Sequence, residues 1–98
     1  MAEPSRLLVG REMKFRFRET VLIELARHGI IPSEDTPPEL VREFVSDLHL
    51  FEIRRLRERF LAGQIPKADY AGTVDAVTKR YPLLSLPVRF WTEDTESQ

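Results

Sequence analysis

The chain has 98 residues, 42% hydrophobic, 32% charged and 9% aromatic, and its 15 Lys+Arg against 16 Asp+Glu leave a net charge of -1. That length supplies one hydrophobic core and no second, and the composition is too apolar for a disordered chain and too charged for a membrane-spanning one. The absence of cysteine excludes a disulfide scaffold, thiolate zinc sites, iron–sulfur clusters and a cysteine nucleophile.

Residues 1–12 contain Pro4, Ser5 and Gly10, which break any periodicity, and read as a flexible N-terminal segment. Leu7-Leu8-Val9 is too short for the apolar region of a signal peptide, so the expected setting is cytoplasmic. From Met13 the chain alternates apolar and basic residues through Phe17 and Arg18, the pattern of a half-buried strand. A first helix follows, starting near Phe15 or Glu19 and ending at His28. Phe17, Val21 and Leu25 fall four apart on one face of it. Gly29 is placed to take the left-handed conformation after the last turn, with Ile30 folding back onto the helix end.

Thr36-Pro37-Pro38-Glu39 is the best local start signal. Thr36 is positioned to cap, Pro37 needs no donor at the first helical position, and Glu39 completes a capping box. The second helix then meets no breaker until Gly63, so it is expected over Pro37 to Ala62, about 39 Å at about 1.5 Å per residue. Its apolar residues form two groups. Leu40, Val41, Phe44, Val45, Leu48 and Phe51 lie on one side, and Ile53, Leu56 and Phe60 on another, about 100° away. Such a rotating face implies two neighbours: the first helix against its first half, and a third helix against its second. Leu50 and Leu61 fit neither group. Arg55 continues the first group, either with its stem on apolar surface and its head in water or in a specific ion pair.

Ala62 to Ile65 is a short turn, and Pro66 opens a third helix whose stripe of Tyr70, Val74, Val77 and Tyr81 is spaced 4, 3, 4. Pro82 ends it. The second and third helices therefore form an antiparallel hairpin. The stretch from Ile53 to Tyr81, with Gly63-Gln64-Ile65 followed by Tyr70, resembles the short helical hairpins of SHOCT-type domains; the resemblance implies a hairpin, and no function is carried over from it. Pro82 and Pro87 keep Leu83 to Trp91 out of a helix, leaving an extended segment with one apolar edge.

The predicted fold is thus mainly α: a three-helix domain over 13–91 with a long central helix, an antiparallel helical hairpin and extended N- and C-terminal segments. A flexible acidic tail follows over 92–98. The two extended segments pair as a short two-stranded ribbon on the helices, serve a partner, or simply close the protein's own core.

For function, no Gly-rich phosphate loop or Gly-x-Ser-x-Gly elbow is present. His28 and His49 carry no motif spacing, and no catalytic residue, metal ligand, cofactor or small-molecule substrate is indicated. The expectation is a small non-catalytic protein-interaction module or accessory subunit, acting by homo-oligomerisation or by docking on a larger protein. Its candidate interface residues are Leu50, Leu61, Leu86, Val88, Phe90 and Trp91, the apolar side chains that three helices do not bury, with aromatic anchors at the C-terminal end. The alternative is a nucleic-acid binder using Arg16, Arg18, Arg54, Arg57 and Arg59, since clustered guanidinium groups suit phosphates. Against this, Glu52 and Glu58 interrupt the helical cluster at positions suited to pairing with Arg54 and Arg55.

Overall fold

A computed structural model of the chain describes residues 14–93. The N-terminal segment 1–12 and the last residues of the acidic tail, 94–98, lie outside the described residues. The architecture is mainly helical: α1 (Glu19–Ala26), α2 (Pro38–Leu61) and α3 (Lys67–Lys79), then two 3-10 turns, Pro82–Ser85 and Val88–Phe90. None of the described helices is long and apolar enough to cross a membrane.

Helix α1 ends as its sequence dictates. Gly29 takes φ +76°, its N–H bonds the Ala26 carbonyl at 3.0 Å, and the Ile30 N–H reaches back to the Leu25 carbonyl at 3.0 Å. These are the two bonds of a Schellman cap, and they seat Ile30 in the core. The same device ends α2: Gly63 at φ +81° bonds Phe60, and Gln64 bonds Arg59 at 2.9 Å.

The start of α2 departs from expectation. Pro37, not Thr36, is the N-cap residue, Pro38 occupies the first turn, and no side chain caps the helix. A residue that precedes proline is pushed into extended geometry, and Pro37 precedes Pro38, so the helix begins one residue later. The Thr36 hydroxyl instead pairs with Ser33 Oγ at 2.9 Å in the preceding turn.

Helices α2 and α3 form the antiparallel hairpin. Phe60 stacks on Tyr70 near the turn, with ring centroids 4.3 Å apart, and His49 bonds Thr78 towards the open end. The neighbours of the first half of α2 differ from expectation. The two 3-10 turns pack on α2 more closely than α1 does, and α1 itself packs on the first of those turns. The reason lies in the C-terminal segment. Proline removes one N–H but is tolerated at the start of a turn, where none is needed. Pro82 and Pro87 each therefore open a 3-10 turn, not an extended run.

This compact segment fills the space between α1 and α2. Trp91 is 0% exposed and belongs to one core with Val21, Leu25, Val45, Leu56 and Leu83. The expected ribbon reduces to one antiparallel bridge between Phe17 and Thr92. Around it the Arg18 N–H bonds the Trp91 carbonyl at 3.0 Å and the Glu93 N–H bonds the Arg16 carbonyl at 2.8 Å. Thr92 and Glu93, assigned by sequence to the flexible tail, are thus tied to the chain's other end.

Candidate functional site

The candidate interface residues separate into two groups. Trp91 is not at the surface: its ring is enclosed and its Nε1–H donates to the Leu86 carbonyl at 3.0 Å. Leu86 and Val88 are half-buried against the same core. The physical reason is the pair of tight turns, which fold the segment's apolar edge inward. Phe90 remains exposed, with the Arg89 guanidinium 4.7 Å from its ring centroid. Leu50 and Leu61 remain exposed on α2, Leu61 at 70%.

A polar cluster that sequence reasoning missed occupies the open end of the hairpin. Tyr81 is buried, stacked on His28 at 4.3 Å and met edge-on by His49 at 5.2 Å. Its hydroxyl donates to Glu52 Oε2, and Arg80 binds Oε1 of the same carboxylate. His28 Nε2–H donates to the Arg80 carbonyl at 2.8 Å. Burial, and then the Glu52 carboxylate, push the Tyr81 phenol up to about 12. The Tyr81 hydroxyl, and then Arg80, hold Glu52 below the usual carboxylate range. A phenol at that value stays protonated at neutral pH and acts as a hydrogen-bond donor. The cluster ties α1, α2 and the end of α3 together. Among the described residues no buried side-chain nitrogen or oxygen lacks a partner, and no three His, Cys, Asp or Glu side chains converge as a metal site. The signal for Glu52 was present in the sequence: it lies seven residues after Val45 and four before Leu56, both buried.

Helix α2 presents an apolar face to solvent. Leu40, Phe44 and Phe51 are 56%, 55% and 57% exposed, although the sequence groups them with Val41, Val45 and Leu48. The hairpin partner and the 3-10 turns cover the side bearing Val41, Val45 and Leu56, and this leaves the larger side chains outside. At the N-terminal end of that face Ile31, Leu40 and Phe44 line an open groove of about 410 Å³. Arg55 is exposed on the same helix, its guanidinium 5.8 Å from the Phe51 ring centroid, so its stem covers apolar surface while its head meets water.

The candidate phosphate-binding arginines do not form one patch through any contact among the described residues. Arg16 lies 3.8 Å from Glu93, and Arg18 Nε–H donates to the Phe90 carbonyl at 2.9 Å. Arg54, Arg57 and Arg59 are exposed along the second half of α2 and form no ion pair within the described residues. The pairing of Glu52 with Arg55 that spacing suggested is replaced by the inward turn of Glu52 to Tyr81. No family model, curated protein or solved structure matches the chain.

Proposed function

We infer that this protein is a small non-catalytic interaction module, an accessory subunit that binds a protein through the outer face of α2. The observation that carries this reading is the exposure of Leu40, Phe44 and Phe51 on a single face of the chain's longest helix. Apolar patches of this kind are uncommon on monomers that bind nothing, and aromatic anchors supply most of the energy in protein interfaces. Leu50 and Leu61 flank the same face and extend it; Phe90 stands apart from it.

A photo-crosslinking side chain at position 44 or 51, in the native host, tests this reading against the same group at Ala76, an exposed position on α3. Expected are discrete adducts of fixed stoichiometry from 44 and 51 that Leu40→Glu removes while the helical content stays unchanged. Equal labelling at all three positions refutes the reading.

The nucleic-acid reading rests on Arg54, Arg57 and Arg59, whose guanidinium groups face solvent. It is the second reading because Arg16 and Arg18 are engaged with the chain's own C-terminal segment.

A further inference from the structure

The exposed face of α2 has a regular repeat. Leu40, Phe44, Asp47, Phe51, Arg54, Glu58 and Leu61 are spaced 4, 3, 4, 3, 4, 3, and all seven are exposed. This is the spacing of a coiled-coil seam, which underwinds to about 3.5 residues per turn and needs a second helix along its whole length. Nothing in the described chain supplies that helix.

Charge along the helix indicates which helix would fit. The first half of the face carries Glu39, Glu43 and Asp47. The second half carries Arg54, Arg55, Arg57 and Arg59 with Glu58 among them. The midpoint falls at Leu50 and Phe51. A second α2 laid antiparallel about that midpoint brings residues whose numbers sum to 101 level with each other. Asp47 then meets Arg54 of the second copy, Phe51 meets its Leu50, and Glu43 comes level with its Glu58, one residue from its Arg57. Leu61, the most exposed leucine of the helix, comes level with Leu40, beside the groove that Ile31 and Phe44 line. A parallel pair would set Asp47 against Asp47 and Arg54 against Arg54.

We propose that α2 is a self-recognition helix: two copies of this chain associate antiparallel about Phe51, and complementary acidic and basic halves set the direction. This rests on the reading of the outer face as an interface and names its occupant. It also gives Leu50, Leu61 and the solvent-facing arginines a common role, because the basic half of one helix neutralises the acidic half of the other. Opposite charges across an interface select partner and register, and like charges placed opposite one another are strongly unfavourable.

The experiment uses the full chain, with sedimentation equilibrium over a concentration series. Asp47→Arg and Arg54→Asp change exposed side chains, and circular dichroism confirms that each variant keeps its helices. The wild type is expected to dimerise. Each variant alone places two like-charged contacts in the dimer and is expected to weaken it at least about tenfold. The decisive sample is the equimolar mixture, in which both 47–54 pairs are again opposite in sign, and a dimer containing one copy of each variant is expected. A wild type that stays monomeric at the highest concentration overturns the proposal. So do single variants that dimerise as the wild type does, or a mixture that stays monomeric. If the wild type is monomeric while positions 44 and 51 still crosslink to a different protein, self-recognition falls and the interaction reading stands; if crosslinking fails as well, both fall.

Discussion

Trp91→Ala is the sharpest test of the fold. The indole is 0% exposed and its Nε1–H is bonded to the Leu86 carbonyl. Truncating a large buried aromatic to alanine costs about 3–5 kcal/mol, from lost transfer energy and the cavity left behind. The loss also strips the Leu86 carbonyl of its partner, which adds about 1 kcal/mol where water cannot replace it. A domain of this size has a total stability of roughly 5–15 kcal/mol, so the substitution removes about a fifth of it or more. At about 4–8 °C per kcal/mol, the melting temperature should fall by at least about 12 °C. Thermal unfolding followed by circular dichroism measures this, and two comparisons locate the cause. Trp91→Phe keeps most of the volume and loses the donor, so its effect should be about 1–2 kcal/mol. Phe90→Ala, one residue earlier and exposed, should change stability by no more than about 0.5 kcal/mol. A Trp91→Ala protein that melts within about 4 °C of the wild type would show that the C-terminal segment is not integral to the core. The assignment of Trp91 to an interface would then regain its ground.

The remaining predictions concern pH, backbone and charge. Tyr81 is 3% exposed and its phenol is raised from 10.0 to about 12, so the folded state binds the proton more tightly; its contribution is intact below about pH 10 and is lost as pH rises through about 12, by about 2 kcal/mol in all. Urea midpoints of the wild type and Tyr81→Phe compared across that window should converge, and a constant difference would refute the assignment. Glu52 is shifted the other way, so its contribution is present above its ordinary value of 4.5 and disappears as pH falls through its lower folded value; Glu52→Gln should flatten the acid limb of the stability curve. Gly63→Ala meets no heavy atom within 4 Å, so its cost should come from φ +81° alone and amount to about 1 kcal/mol in a chemical denaturation curve. For Arg54, Arg57 and Arg59, titration with labelled single-stranded RNA and duplex DNA at low and moderate salt should show no saturable binding; tight binding that weakens steeply with salt would favour the nucleic-acid reading.

The residues that punctuate the chain were legible because their effects are local. Gly29 and Gly63 end helices by adopting positive φ, and the spacing of Tyr70, Val74, Val77 and Tyr81 marks the buried side of α3 without reference to other elements. The start of α2 was misplaced by one residue because two adjacent prolines both qualified for the first turn, and only the steric effect of Pro38 on Pro37 decides between them. Leu83 to Trp91 was misread more deeply. Prolines that forbid an α-helix do not thereby enforce an extended chain, and the short 3-10 turns that they open carry Trp91 into the core. The outer face of α2 was hidden for a different reason. Leu40, Phe44 and Phe51 lie beside Val41, Val45 and Leu48 on one broad apolar arc, and hydrophobicity alone does not say which edge of that arc turns inward.

What turns it is polar. The observed orientation shelters Val41, Val45 and Leu56 and packs Leu48, Ile53 and Phe60 against the core, and a rotation that sheltered Leu40, Phe44 and Phe51 instead would trade one set of apolar side chains, each worth about 1.5–3 kcal/mol when fully buried, for another. Four hydrogen-bonding ties oppose that rotation. Arg42 Nη2–H donates to the Leu84 carbonyl at 3.2 Å and His49 bonds Thr78 at 3.0 Å. Glu52 accepts from both Tyr81 and Arg80. All of these residues lie on the side of α2 that faces α3 and the 3-10 turns, and turning that side to solvent would leave Tyr81 buried without an acceptor, at a cost of about 1–3 kcal/mol for its hydroxyl alone. Directional bonds thus fix a rotation that hydrophobic burial alone leaves less sharply defined. Leu40, Phe44 and Phe51 stay outside because the polar ties hold the opposite side in, and this is the arrangement a helix requires if its outer seam is to meet a second molecule.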